Sequence, residues 1–109
     1  MYRGTTPNIT IKINSDLDLS TMTQIWVTFK NASAEITYDI DDIELNVAEK
    51  TIALAMSQED TLSFKSDINQ ANKVEVQVRF LDENGMAYAS NISTVTLFRI
   101  LKEGVIKDD

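Results

Sequence analysis

The stretch 73–100 constrains the fold more than any other part of the chain. Its first half, KVEVQVRF, alternates apolar and polar residues with a period of two, the pattern of a strand with one buried face. Asn84-Gly85 follows, a dipeptide that tolerates positive φ and favours a type I′ turn. A second β-prone run, MAYASNISTVTLFRI, then returns. The stretch therefore predicts a β-hairpin.

The returning strand of this hairpin carries an irregularity. Counting back from a two-residue turn pairs Phe80 with Ala89, but it then brings the apolar Val78 opposite the polar Asn91. One extra residue in the returning strand would pair Val78 with the apolar Ile92. Because a bulge inserts one residue and changes which side chains face each other, we expect a β-bulge at Ser90-Asn91.

Most of the chain before this hairpin is also predicted to be β-structure. The exception is the segment 57–64, where Ser57 precedes two acids, a pattern typical of a helix N-cap with a favourable dipole interaction. We expect a short helix there, with Leu62 and Phe64 closing one end of the fold. The alternating or β-prone segments that predict strands are 8–13, 24–30, 35–38, 43–47 and 50–56.

Together these segments predict an all-β fold, an antiparallel immunoglobulin-like β-sandwich of about seven strands with one short helix. At 109 residues the chain has room for one core, so we expect a single β-sandwich domain over 1–109. We expect flexible ends at 1–7 and 102–109.

The composition excludes several classes of function. The chain has no cysteine and no histidine, which removes thiolate zinc sites and nucleophiles activated by histidine. Its formal net charge is −7 and its basic residues are scattered, so the overall field repels nucleic acid. No apolar run is long enough to span a membrane. We expect no enzyme activity, no cofactor, no nucleic-acid partner and no membrane partner.

A short acidic segment, DIDDIE, is the only local group of carboxylates. Oxygen ligands at close spacing are what calcium requires, but the segment lacks the glycine and the length of an EF-hand loop. Two interpretations of the segment stay open, a turn with solvated acids and a calcium site; we favour the turn and assign no metal ligand. The carboxylates concerned are Asp39, Asp41, Asp42 and Glu44.

Three aromatic residues are candidates for an interface. Trp26 alternates with Ile25 and Val27 and so points away from the apolar face of its strand. Such a side chain suits either a binding surface or burial under another segment. We take Trp26, Tyr38 and Tyr88 as the interface residues.

Six segments of the chain carry a family resemblance. They are RGTTP at 3–7, SQEDTLSF at 57–64, KVEVQVR at 73–79, AYASN at 87–91, RIL at 99–101 and GVI at 104–106. In these segments the chain resembles small prophage proteins of Gram-positive bacteria, and more distantly it is similar to the N-terminal β-sandwich domain of siphophage baseplate upper proteins. This resemblance implies a virion or tail-associated structural module with an immunoglobulin-like fold, and it implies no catalytic residues.

The leading hypothesis is therefore a non-enzymatic assembly module of a phage tail or baseplate that docks to other tail or baseplate proteins. A homo-oligomer is compatible with this role. Such a protein would be a virion component made in the cytoplasm of the bacterial host. The alternative is a carbohydrate-binding β-sandwich module, in which Trp26, Tyr38 and Tyr88 would stack on sugar rings. A glycosidase-like pair of carboxylates would need a cleft that a sandwich of this size hardly offers.

Overall fold

The computed structural model describes residues 1–65 and 72–108, and its strands form two antiparallel sheets around one hydrophobic core. In chain order the strands are β1 (Asn8–Lys12), β2 (Met22–Lys30), β3 (Glu35–Tyr38), β4 (Glu44–Asn46), β5 (Thr51–Ala55), β6 (Asn72–Asp82), β7 (Ala87–Ala89) and β8 (Ser93–Leu97). One sheet has the order β1-β5-β4. The other has the order β3-β2-β6, and β7 and β8 both pair with the free side of β6.

These sheets confirm the predicted all-β antiparallel sandwich. The described residues contain eight strands rather than about seven, because the returning strand of the predicted hairpin is divided into β7 and β8. Long-range pairs join β1 to β5 and β2 to β6, so each sheet combines strands that are distant in the chain.

Alternation along the strands decides which side chains form the core. In β2, Ile25, Val27 and Phe29 are completely buried, while Trp26 between them is 46% exposed. The same period of two buries every second residue along most of β6. Because burying such side chains is the main favourable contribution to folding, this pattern sets the facing of both strands. The remaining buried apolar residues are Ile13, Leu19, Tyr38, Ile52, Leu54, Met56, Phe64, Val74, Val76, Val78, Phe80 and Leu97.

The turn between β6 and β7 differs from the predicted type I′ turn. The Asp82 amide donates to the carbonyl of Met86 at 2.9 Å, which closes a loop of three residues rather than two. Gly85 has a φ of 79°, whereas Asn84 does not adopt positive φ. This is the arrangement of a turn followed by a left-handed glycine, the usual three-residue hairpin loop. The longer loop moves the register by one, so Phe80 lies opposite Tyr88 and the predicted pairing with Ala89 is wrong.

The predicted β-bulge at Ser90-Asn91 is confirmed, but the pairing of Val78 with Ile92 that it was expected to restore is wrong, since Val78 lies opposite Ser90 and Ile92 is exposed between β7 and β8. Arg79 lies opposite Ala89, but Val76 lies opposite Ser93, so the returning strand has one residue more than β6 over this interval. At this point the Ser90 amide donates to the Val78 carbonyl at 2.8 Å, and the Ser90 hydroxyl accepts from the Val78 amide at 3.0 Å. The Ser90 hydroxyl thus takes the place of a backbone carbonyl as the acceptor for the Val78 amide, where the strand-to-strand hydrogen bonds are interrupted.

The predicted helix is confirmed as α1, Gln58–Ser63. The Ser57 hydroxyl accepts a hydrogen bond from the amide of Asp60 at 3.1 Å, which satisfies one of the free amides at the helix N-terminus. Phe64, just after the helix, is completely buried, and Leu62 is partly buried. The helix therefore closes one end of the sandwich, as expected.

The two ends of the chain meet beside α1. Tyr2 and Phe98 form a parallel bridge, and their rings lie 4.9 Å apart. Arg3 is only 4% exposed, and its guanidinium donates to the carbonyls of Leu62 and Phe64 and pairs with Glu103. No pattern in the sequence predicted that this arginine is buried. The flexibility expected of 1–7 and 102–109 stays a prediction, and Asp109 lies outside the described residues.

Candidate docking surface

The outer face of the five-stranded sheet presents Trp26 to solvent. Within the sheet Trp26 lies directly opposite Arg79 on the neighbouring strand β6. Both residues occupy the polar positions of their strands, so the alternation that buries their neighbours turns both outward. The outward direction predicted for Trp26 is confirmed.

Arg79 and Trp26 form one composite group. The guanidinium carbon of Arg79 lies 5.6 Å from the centroid of the Trp26 ring, within the range of a cation–π interaction. Leu81, the next outward residue of β6, is exposed beside them. Ala87 of β7, which has a small side chain, lines the same part of the surface. The result is a shallow groove of about 170 Å³, whose lining residues are Gln24, Trp26, Arg79, Phe80, Leu81 and Ala87.

The charges on this face differ from those on the rest of the molecule. Three exposed bases stand on the outer face against two exposed acids, so its net charge is close to +1. The whole chain, in contrast, carries −7. Among the described residues the single ion pair on this face joins Lys30 to Glu35 at 3.7 Å. The charged residues concerned are Lys30, Glu35, Lys73, Glu75 and Arg79.

Tyr38 lies on the opposite side of the sheet from Trp26. It is buried, and its ring meets Phe29 edge-on with the centroids 5.9 Å apart. Its hydroxyl donates to Oδ2 of Asp60 at 2.6 Å, which ties β3 to α1. Burial, together with this hydrogen bond to a carboxylate, raises the pKa of Tyr38 well above its usual value. Tyr38 therefore supports the core rather than a surface.

Tyr88 also lies apart from Trp26. It sits opposite Phe80, whose side chain is in the core, and is itself partly buried against that core. Its hydroxyl donates to Oδ2 of Asp82 at 3.2 Å, and burial together with this bond raises the pKa of Tyr88. The structure thus places one of the three predicted aromatics on the outer face and two on the core-facing side.

The acidic segment 39–44 forms a capped turn. Asp39 accepts from the amide of Asp41 at 2.9 Å, and Asp42 accepts from the amide of Asp39 at 3.0 Å, a reciprocal capping box around the 3₁₀ turn Ile40–Asp42. These bonds explain two of the acids in terms of local structure. Across residues 1–65 and 72–108 there is no group of three or more potential ligand residues placed to hold a metal ion.

In the described part of the chain, no helix combines the length and the apolar composition that crossing a membrane requires. Comparison of the sequence with protein-family models, with curated proteins and with solved structures found no match.

Proposed function

We propose that this chain is a non-enzymatic, immunoglobulin-like structural module of a phage tail or baseplate. It acts by docking to a neighbouring protein through the outer face of its five-stranded sheet. The resemblance of the sequence to small prophage proteins supports the phage assignment. The observation that carries the docking role is the exposed Trp26–Arg79 pair on the outer face of the sheet.

The residue types on this face favour a protein partner. Tryptophan and arginine are the residues most enriched among those that dominate binding energy at protein interfaces. With about half of its side chain exposed, Trp26 would bury roughly 100 Å² more in a complex, which stabilises binding by about 2–3 kcal/mol. A single indole between polar neighbours offers one anchor, whereas a sugar platform would draw on several aromatic rings.

The test is incorporation into particles. Particles released on induction of the host that carries the gene would be purified by density gradient and probed with an antibody against the chain. We expect the chain in the particles, and we expect Trp26→Ala to reduce its incorporation.

Leu101→Ala is the matched control, since it also removes an exposed apolar side chain but lies in the C-terminal segment. It should leave incorporation unchanged. Absence of the chain from particles, together with no binding to any product of the neighbouring genes, would overturn the proposal.

A further inference from the structure

We propose that the partner on the outer face of the five-stranded sheet is a second copy of this chain, bound face to face around a two-fold axis. This inference rests on the proposed docking role and names the occupant of that surface. The order of residues on β2 and β6, the charge of the face and its area support a second copy as the partner.

The outward residues of β2 and β6 form three neighbouring rows. We place a two-fold axis in the plane of the face, along the middle row and perpendicular to the strands. Rotation about this axis lays each strand of the second copy over the same strand of the first, in the opposite direction. The first row of one copy then lies over the third row of the other. From first to third, the rows are Trp26 with Arg79, Thr28 with Gln77, and Lys30 with Glu75.

On the two central strands, this operation brings complementary residues together. Arg79 of one copy meets Glu75 of the other, and Trp26 of one copy meets Lys30 of the other. The first contact is an ion pair and the second is a cation–π contact, and two-fold symmetry makes each of them twice. Thr28 and Gln77 lie on the axis, so each faces the same residue of the other copy. Both are uncharged, and no repulsion arises there.

Net charge is compatible with association at this face, as it is at the outer face of the three-stranded sheet, where Lys12 and Glu44 balance. Two copies that each carry −7 repel one another, and the repulsion is smallest where the approaching surfaces are close to neutral. Because the outer face is near +1, the remaining surface of each copy carries about −8. Contact through the Trp26 face thus keeps the acidic remainder of each copy away from that of the other.

The area of the face sets the strength of the dimer. Because β7 and β8 share one position beside β6, the face is four strands wide, about 19 Å at the usual strand spacing. The nine residues of β2 extend for about 30 Å. It can therefore bury roughly 600 Å² per copy, below the roughly 800 Å² per partner of a stable complex. We expect a reversible dimer whose population depends on concentration and on salt.

The experiment uses charge reversal on the full-length chain. Analytical ultracentrifugation over a concentration series gives the Kd, and the fluorescence of Trp26, the single tryptophan, reports burial of this face. We expect wild type to dimerise with a blue shift of the emission. Arg79→Glu and Glu75→Arg each place like charges opposite one another, so each should raise the Kd about tenfold or more.

Mixing the two monomeric variants should restore association. One then carries two arginines at these positions and the other two glutamates, so a heterodimer forms with both pairs oppositely charged. Lys107→Glu is the matched control, since it makes the same change of charge as Arg79→Glu in the exposed C-terminal segment. It should leave the Kd unchanged. Circular dichroism of each variant verifies that the fold is intact.

A chain that stays monomeric up to about 1 mM would overturn the inference. So would a dimer that neither reversal weakens, or a mixture that fails to associate when both reversals are monomeric. These outcomes are separate from the particle test: a monomeric chain found in particles leaves the docking role standing with a different partner. A self-associating chain absent from particles removes the phage role alone.

Discussion

Replacing Arg3 by methionine should destabilise the protein more than replacement of any exposed charge. Arg3 is almost completely buried, and its Nε donates to the carbonyl of Phe64 at 2.6 Å and its Nη2 to the carbonyl of Leu62 at 3.0 Å. Both acceptors lie at the C-terminal end of α1, where carbonyls have no partner within the helix. Methionine fills part of the space but donates nothing to them.

The magnitude follows from these two bonds. A hydrogen bond from a charged group contributes about 1.5–3 kcal/mol, and its loss leaves a buried carbonyl unsatisfied. We therefore expect Arg3→Met to lower the free energy of unfolding by about 3 kcal/mol. For a domain of this size the melting temperature should fall by about 12 °C. The ion pair with Glu103 adds little, because the carboxylate is largely solvated.

Urea unfolding followed by Trp26 fluorescence measures the change, and Glu103→Gln is the control. The control should leave the midpoint almost unchanged, since it removes the ion pair and keeps both bonds to the helix carbonyls. A midpoint for Arg3→Met within error of wild type would refute the reasoning. An equal loss in both variants would refute it as well, because the stabilisation would then reside in the exposed ion pair.

Two further predictions concern Tyr38 and the glycines. Because the pKa of Tyr38 is raised in the native state, its contribution to stability is complete below the pKa in the unfolded chain, about 10, and falls by up to about 1.4 kcal/mol per pH unit above it. In urea unfolding at a series of alkaline pH values, Tyr38→Phe should therefore lose stability less steeply than wild type. Parallel curves would contradict the raised pKa of Tyr38. Gly85→Ala should cost about 1 kcal/mol from positive φ alone, because nothing lies within 4 Å of the added Cβ. Gly4→Ala should cost more, since its Cβ would also lie 3.1 Å from Ile100 and 3.3 Å from Leu62; equal losses in thermal unfolding would show that packing at Gly4 relaxes freely.

The features that the sequence predicted correctly are those that depend on near neighbours. Alternation in β2 and β6 indicated which side chains are buried, because successive residues of a strand point to opposite faces. The N-cap at Ser57 was predictable, since the cap and the amide it binds are three positions apart. The bulge at Ser90-Asn91 was predicted at the right position, although the register from which it was inferred was wrong by one residue.

The hairpin register was wrong by one residue for a local reason that the dipeptide did not reveal. Asn84-Gly85 fits both a two-residue and a three-residue loop. The side chain of Asp82 accepts from the amides of Asn84 and Met86, which favours the longer one. Which of the two loop lengths forms depends on such side-chain hydrogen bonds, and these are not apparent from the alternation of apolar and polar residues.

The candidate site was predicted in part. The sequence indicated that Trp26 points outward, but it did not show that Arg79 lies beside it, since β2 and β6 are separated by three other strands along the chain. It also grouped Tyr38 and Tyr88 with Trp26 by residue type, whereas the sheet places both tyrosines on the core-facing side.

The sequence by itself determined the class of the fold, the strands, the helix and the outward direction of Trp26. All of these follow from periodicity and capping within a few residues. Only the tertiary structure decided that Arg3 is buried, because its three side-chain partners lie 59, 61 and 100 positions away. It likewise decided which charges stand beside Trp26, because cross-strand neighbours are set by how distant strands pair to bury a common core.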